Sequence, residues 1–246
     1  MDKYRAKIHY LYHDGFSVET ENHLLIFDYY KDSPLNEVRS LENGVVGEED
    51  LKIKDNVLVF SSHGHKDHFN PVILDWIKYN PNINYVLSSD INLPDYKKNY
   101  NILWSNKELQ LGDVVIKTFD STDIGVCYLV EVDGLSIFHA GDFNWWYWKD
   151  DTMEDKLEME LAFKKEIRKI AENDVDIAFF PTDPRLDDFF YVGGEYFIDK
   201  VKPKLFIPMH FWAKCSTSKK FKDKVERDFC EIVEIKNRGQ VIDFDK

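Results

Sequence analysis

The sequence predicts a mixed α/β fold built as one domain over residues 1–246, and three observations carry that expectation. Short apolar runs rich in β-branched and aromatic residues recur along the whole chain, as buried strands do. Helical stretches separate them, one of them long and amphipathic at 151–173. The order strands, helix, strands, helices is passed through twice, with no linker, low-complexity tract or shift in composition between the passes. Apolar residues make up 43% and aromatics 15% of the chain, which suits a packed core and argues against disorder.

Lysine and arginine total 32 against 45 acidic residues, a formal charge of −13. Such a surface repels phosphate backbones and anionic membranes. The expected partner is therefore a small molecule; nucleic acid is disfavoured and no membrane is expected. The three cysteines, Cys127, Cys215 and Cys230, show no metal-type spacing and read as reduced thiols. No apolar run approaches about 18 residues, and MDKYRAKIHY holds no signal-like core, so a soluble cytoplasmic protein is the expectation. Oligomeric state is not legible.

Residues 7–28 hold two strand-like pieces, Ile8-His9-Tyr10-Leu11-Tyr12 and Leu24-Leu25-Ile26-Phe27-Asp28, around Phe16-Ser17-Val18-Glu19. Asp14-Gly15 and Glu21-Asn22 are turn signals, so a meander of short antiparallel strands is expected. Residues 32–55 are polar and rich in turn-formers, and read as a surface excursion. The stretch at 56–71, NVLVFSSHGHKDHFNP, carries the chemistry. Val57-Leu58-Val59-Phe60 reads as a buried strand, and Asn70 and Pro71 suit the N-cap and first position of a helix over 72–79. His63, His65, Lys66, Asp67 and His68 thus sit on the loop at a strand's C-terminal end, where open sheets carry function. Neutral imidazole nitrogens and a carboxylate oxygen are ligands that first-row divalent ions prefer. One residue separates His63 from His65, so both reach one ion. Asp67 and His68, further round the turn, suit a second.

HGHKDH resembles the HxHxDH signature of the metallo-β-lactamase fold superfamily, and the resemblance extends from His13 through His210. It implies a four-layer αββα sandwich with a metal site at one edge, and it sets His13 and Asp28 near that edge. His9 and His23 fall on no family position. Residues 85–89 read as the next strand, 93–101 as a loop or short helix, and 108–119 as a hairpin turning at Gly112-Asp113. At 119–126, FDSTDIGV, the family carries a histidine ligand and this chain carries none. Asp123, nearer the glycine that opens the next strand, is the expected replacement, with Asp120 the alternative. An oxygen donor hardens the site and leans toward Mn, Fe(II) or Mg beside Zn.

Residues 128–132 and 135–139 form a hairpin at Gly134 and lead into Ala140-Gly141-Asp142. The resemblance makes Asp142 the carboxylate that bridges two ions. His139, an odd number of residues earlier, faces the other way and reads as a packed or supporting histidine. Trp145, Trp146 and Trp148 either wall a cleft or pack in the core or against a partner. The helix at 151–173 is acidic early and basic late, as its dipole favours. Residues 176–181 form a buried strand delivering Thr182-Asp183-Pro184-Arg185. Arg185 could hold a substrate carboxylate or phosphate, although pairing with Asp183 or Asp187 is the stronger expectation. Residues 205–210 end in His210, the family's last ligand position, ahead of a lysine-rich helix at 216–231 and a closing segment at 234–244.

By this resemblance His63 and His65 with Asp123 would hold one ion, and Asp67, His68 and His210 the other. Asp142 would join them, so that Asp67 and Asp142 are the carboxylates at the chemistry. One or two Zn, Mn or Fe ions would then hydrolyse a small ester-like substrate such as a lactone or phosphodiester. A ribonuclease-type nuclease of the same fold is disfavoured by the net charge, and a flavodiiron role lacks its flavodoxin-like domain. The missing histidine leaves a non-catalytic metal-binding protein as a further reading.

Overall fold

The computed structural model describes residues 5–246. Strands β1 (Arg5–Tyr12), β2 (Gly15–Glu19), β3 (His23–Phe27), β4 (Asn56–Ser61), β5 (Asn84–Ser88), β6 (Tyr100–Leu103) and the last strand, β14 (Val241–Asp245), form one seven-stranded sheet in the order β14-β1-β2-β3-β4-β5-β6. Strands β7 (Glu108–Leu111), β8 (Val114–Asp120), β9 (Val126–Val132), β10 (Leu135–His139), β11 (Ile177–Pro181), β12 (Leu205–Met209) and β13 (Glu231–Ile232) form the other, in the order β13-β12-β11-β10-β9-β8-β7. Each sheet begins as an antiparallel meander and continues in parallel, from β3 to β6 and from β10 to β13. The repeated pattern in the sequence is thus the two halves of a sandwich.

The sheets stack face to face. Phe16 lies 4.4 Å from Phe179 across the interface, and the Tyr128 hydroxyl donates to the Ser61 carbonyl at 2.8 Å. Side chains alternate along each strand: Leu25, Phe27, Leu58 and Phe60 enter the core between the sheets, while Leu24, Ile26, Val57 and Val59 pack into a second core outside the first sheet. Outside the second sheet run the helices α1 (Met153–Ile170), α2 (Val192–Val201) and α3 (Ser216–Lys224), each a crossover between parallel strands. Helix α1 starts in a capping box, Thr152 with Asp155, and buries Phe163, Ile167 and Ile170.

The layer outside the first sheet differs from expectation. Asn70 caps Val72 as anticipated, but Pro71–Lys78 is a 3₁₀ segment and not an α-helix. Its buried anchors Ile73 and Trp76 are three residues apart, and a period of three keeps both on the sheet. The lysine-rich helix is also shorter than expected: it ends at Lys224, where Val225 leaves helical backbone (φ −117°, ψ 82°), and residues 231–232 form β13. Among the described residues no helix is long and apolar enough to cross a membrane.

Register sets the site. Parallel pairing of Phe27 with Phe60, of His139 with Phe179 and of Pro181 with Met209 leaves the C-terminal ends of β3, β4, β10, β11 and β12 at one edge. Because β2 runs antiparallel to both β1 and β3, the β1–β2 turn emerges there too.

Candidate metal centre

Each of those strand ends delivers at least one ionisable group. The β1–β2 turn supplies His13 and Asp14, β3 supplies Asp28, and the β4 loop supplies His63 and His68. The ends of β10, β11 and β12 supply Asp142, Asp183 and His210. All of these side chains are buried. His13, Asp28 and His210 hold left-handed backbone (φ 58°, 41° and 66°), a conformation costing about 1–2 kcal/mol for residues bearing a Cβ. Strained backbone that persists at a cluster of ionisable groups is a mark of function. Two glycines let the neighbouring loops close on the cluster. A Cβ on Gly125 would stand 2.1 Å from the Ser62 carbonyl oxygen, and one on Gly141 2.6 Å from Ser62 Cβ.

Hydrogen bonds at the back of the rings decide which nitrogen faces the centre. Asp28 accepts from the Ser62 N–H (2.7 Å), the Ser62 hydroxyl (2.6 Å) and His68 Nδ1 (2.8 Å). Ser62 has one hydroxyl proton and gives it to Asp28, so its 3.1 Å contact with His63 Nδ1 must receive the histidine's proton. Asp183 holds His210 Nδ1 in the same way at 2.9 Å. His63, His68 and His210 therefore all turn Nε2 inward. His13 is oriented oppositely: its Nδ1 accepts from the Trp212 N–H at 3.2 Å, so Nε2 carries the proton and faces Asp67 Oδ2 at 3.4 Å.

At the centre, Asp142 Oδ1 lies 3.0 Å from His210 Nε2 and 3.1 Å from His68 Nε2, while Oδ2 lies 3.4 Å from His63 Nε2. Asp14 Oδ2 is 3.3 Å from His68 Nε2 and 3.8 Å from His210 Nε2. Yet His63 Nε2, His68 Nε2, Asp142 Oδ1 and both Asp14 oxygens are buried with no hydrogen-bond partner. Close but misaligned donors and acceptors aim at the space between them. Adjacent ligands of a tetrahedral ion with bonds of about 2.0–2.1 Å stand about 3.3–3.4 Å apart, so the donor set fits a divalent ion.

The charges agree. Burial drives the His63 imidazole down to about 4, with the neighbouring His68 adding to the effect, so it offers a lone pair at neutral pH. Burial would also lower His210, but Asp14, Asp142 and Asp183 outweigh it and hold the ring at about 10. His68 is likewise raised, against burial, chiefly by Asp142 and Asp14. Asp142 stays well below the carboxylate range, since His68 and His210 overcome its desolvation. Uptake of an ion must accordingly displace protons from His68 and His210.

The expected residues are distributed as follows. His63, His68, Asp142 and His210 meet at the centre. His65 is exposed, with its ring edge-on to His63 at 4.6 Å, at the mouth. Asp67 lies half-buried with Oδ2 3.4 Å from His13 Nε2, and this neighbour, with His68, keeps its carboxylate low. Asp123 lines a cavity of about 270 Å³ together with Asp142, and its carboxyl is raised by partial burial and the Asp142 charge. Neither His65 nor Asp123 falls among the ligand atoms grouped within 4.8 Å of one another. Asp120, the alternative, ends β8, where its N–H donates to Glu166 of α1. Arg185 pairs with Asp183 through Nε at 2.8 Å and leans on the Trp148 and Trp212 rings. Its outer edge lines the same cavity as Asp123, with Trp146, Trp148 and Met159. Trp146 donates to the Asp142 carbonyl at 2.9 Å and stacks on Trp148, so these two tryptophans wall the cleft. His139 packs flat on Phe27 and donates to the Asp14 carbonyl.

Asp14 is the residue that sequence reasoning missed. Asp14-Gly15 reads as a turn, and it is one, but the turn also sends the carboxylate inward. Asp183 was visible only as part of a strand end.

No protein-family model and no curated protein matches the chain. Among solved structures it is similar to Igni18, a metallo hydrolase from the hyperthermophilic archaeon Ignicoccus hospitalis, at 16% identity over 98% of each chain and a TM-score of 0.64. It is also similar to the metallo-beta-lactamase fold protein YhfI from Bacillus subtilis, at 11% identity over 98% of this chain and 99% of that one, with a TM-score of 0.62. CmlA, a diiron beta-hydroxylase from Streptomyces venezuelae, matches at 12% identity and a TM-score of 0.55 over 85% of this chain and 45% of its own. The likeness is one of fold, and the fold is the one that HGHKDH implies.

Proposed function

We propose that this chain, whose fold is that of the metallo-β-lactamases, is a metal-dependent hydrolase of a small ester-like substrate. The observation that carries the reading is the set of buried, unpartnered ligand atoms that meet at His68: His63 Nε2, His68 Nε2, Asp142 Oδ1 and the Asp14 carboxylate. His63, His68, Asp142 and His210 would hold one or two divalent ions, with His65, Asp67 and Asp123 at the mouth. Ions held there supply Lewis acidity toward a carbonyl or phosphoryl group and a nucleophile from water near neutral pH. Asp67, kept ionised beside His13, can orient an attacking water by accepting a hydrogen bond from it. Trp146 and Trp148 exclude solvent from one wall of the cleft, and the outer edge of Arg185 offers donors to an anionic group of the substrate. The cavity of about 270 Å³ suits a small molecule, and the charge of −13 opposes a polyanion. Nothing requires a serine or cysteine nucleophile.

Protein reconstituted with Zn, Mn or Fe(II) is expected to hydrolyse at least one class in a panel of lactones, phosphodiesters and thioesters. Asp142→Asn should reduce that turnover to background while the far-ultraviolet circular dichroism is unchanged. Turnover by Asp142→Asn at the wild-type rate would refute the reading.

A further inference from the structure

The β4 loop and the ends of β3, β10, β11 and β12 account for the ionisable groups at the centre other than His13 and Asp14 of the β1–β2 turn. The Asp14 carboxylate is fully buried and both oxygens lack a hydrogen-bond partner. An ionised carboxylate so placed is costly to fold around unless a cation shares the site. His13 aims a protonated Nε2 toward it from 3.8 Å but is not aligned as a donor. The remaining neighbours of Asp14 Oδ2 are two imidazoles whose inward nitrogens carry the lone pair once deprotonated, His68 at 3.3 Å and His210 at 3.8 Å. Those same nitrogens lie 3.1 and 3.0 Å from Asp142 Oδ1. Each of these two imidazole nitrogens thus lies within 3.8 Å of both carboxylates, Asp14 and Asp142.

Resting on the metal-dependent reading above, we propose that Asp14 is a protein ligand, and that with His68, His210 and Asp142 it closes a four-ligand inner site. His68 has one inward nitrogen, so once it serves the inner ion it cannot serve a second. The outer position is left with His63 and Asp142, and with His65 and Asp123 at the mouth. Sites with four protein ligands hold their ion, and sites with fewer keep a position open for chemistry. The cleft agrees with this division, since Asp123 and Asp142 line it and Asp14 does not. The inner ion is a resident first-row divalent cation; the outer one exchanges and faces substrate.

Calorimetric titration with Zn²⁺ and metal analysis after dialysis against a chelator test the assignment. Wild-type protein is expected to take up two ions, one of which resists dialysis. Asp14→Asn should lose the resistant ion, its affinity falling about 100-fold or more, as loss of a ligand exceeds loss of a supporting residue. The metal-free variant should keep the circular dichroism of metal-free wild type. A variant that retains the inner ion as wild type does, or that fails to fold without metal, overturns the role given to Asp14 and leaves the hydrolase reading standing. Wild-type protein that takes up no ion overturns both.

Discussion

Asp28 shows how one buried carboxylate sets the chemistry of two rings it does not share a strand with. It takes the Ser62 hydroxyl proton and the His68 Nδ1 proton, and through Ser62 it obliges His63 to donate from Nδ1 as well. Both imidazoles are thereby delivered in the tautomer that presents Nε2 inward. The arrangement requires an acceptor: His139, His68 and Ser62 keep the Asp28 carboxyl below its usual range although burial opposes this. Asn in its place would fit the left-handed backbone at φ 41° but would bring an N–H to where a proton already points. Asp28→Asn is therefore expected to weaken metal affinity by about 10–100-fold, read by competition with a chelating indicator. The circular dichroism should stay that of wild type. Unchanged affinity would mean that the tautomers are set by something other than Asp28.

At the scale of elements, the sandwich is pinned at the end away from the metal centre by a polar clamp between two hairpin turns. Asp133, in the β9–β10 turn, accepts from Thr20 Oγ1 (2.6 Å), the Asn22 N–H (2.8 Å) and His23 Nδ1 (3.0 Å), all in or beside the β2–β3 turn. Burial alone would raise this carboxyl, but those bonds bring it down to about 2. A depressed folded value means that the stabilisation is fully present above the unfolded value of 3.8, declines as pH falls below it, and is gone by about 2. Asp133→Asn should then cost about 1–2 kcal/mol at pH 7, and the gap between variant and wild-type urea midpoints should narrow toward pH 3. A gap that stays constant with pH would place the effect in packing. This clamp also shows where reading the sequence stops. His63 and His68 are legible because an apolar run followed by clustered ligands is a local pattern, whereas Asp142 and His210 are legible only through the resemblance that HGHKDH carries. The partners of Asp133, Asp14 and His23 come from residues far away in the chain, and no spacing encodes them. The 3₁₀ segment at Pro71–Lys78 and the left-handed backbone at His13 and His210 are likewise outcomes of packing, which overrides local preference.

Across the whole molecule, Arg238 ties the last segment of the chain to the excursion that precedes the metal-binding loop. Its buried guanidinium donates to the carbonyls of Leu11, Lys31, Ser33 and Gly44, at 2.6 Å for Lys31 and 2.7 Å for Ser33. Burial lowers its basicity, yet a guanidinium stays charged well above neutral pH. One planar cation thus satisfies carbonyls from three separate stretches, and no other single side chain has enough donors in one plane to replace it. One of them, Leu11, lies in β1, whose turn carries His13 and Asp14, so the C-terminal segment indirectly fixes one side of the metal centre. Methionine at 238 would fill similar volume while leaving the carbonyls without a donor, a loss of about 2–4 kcal/mol. Arg238→Met should lower the denaturant midpoint and make residues 31–47 the first site of limited proteolysis. Arg238→Lys, with one ammonium, should recover only part of the loss. Proteolysis that begins elsewhere, at an unchanged midpoint, would show that the excursion is held by its own 3₁₀ turns and by the Arg39–Asp32 pair, and not from the far end of the chain.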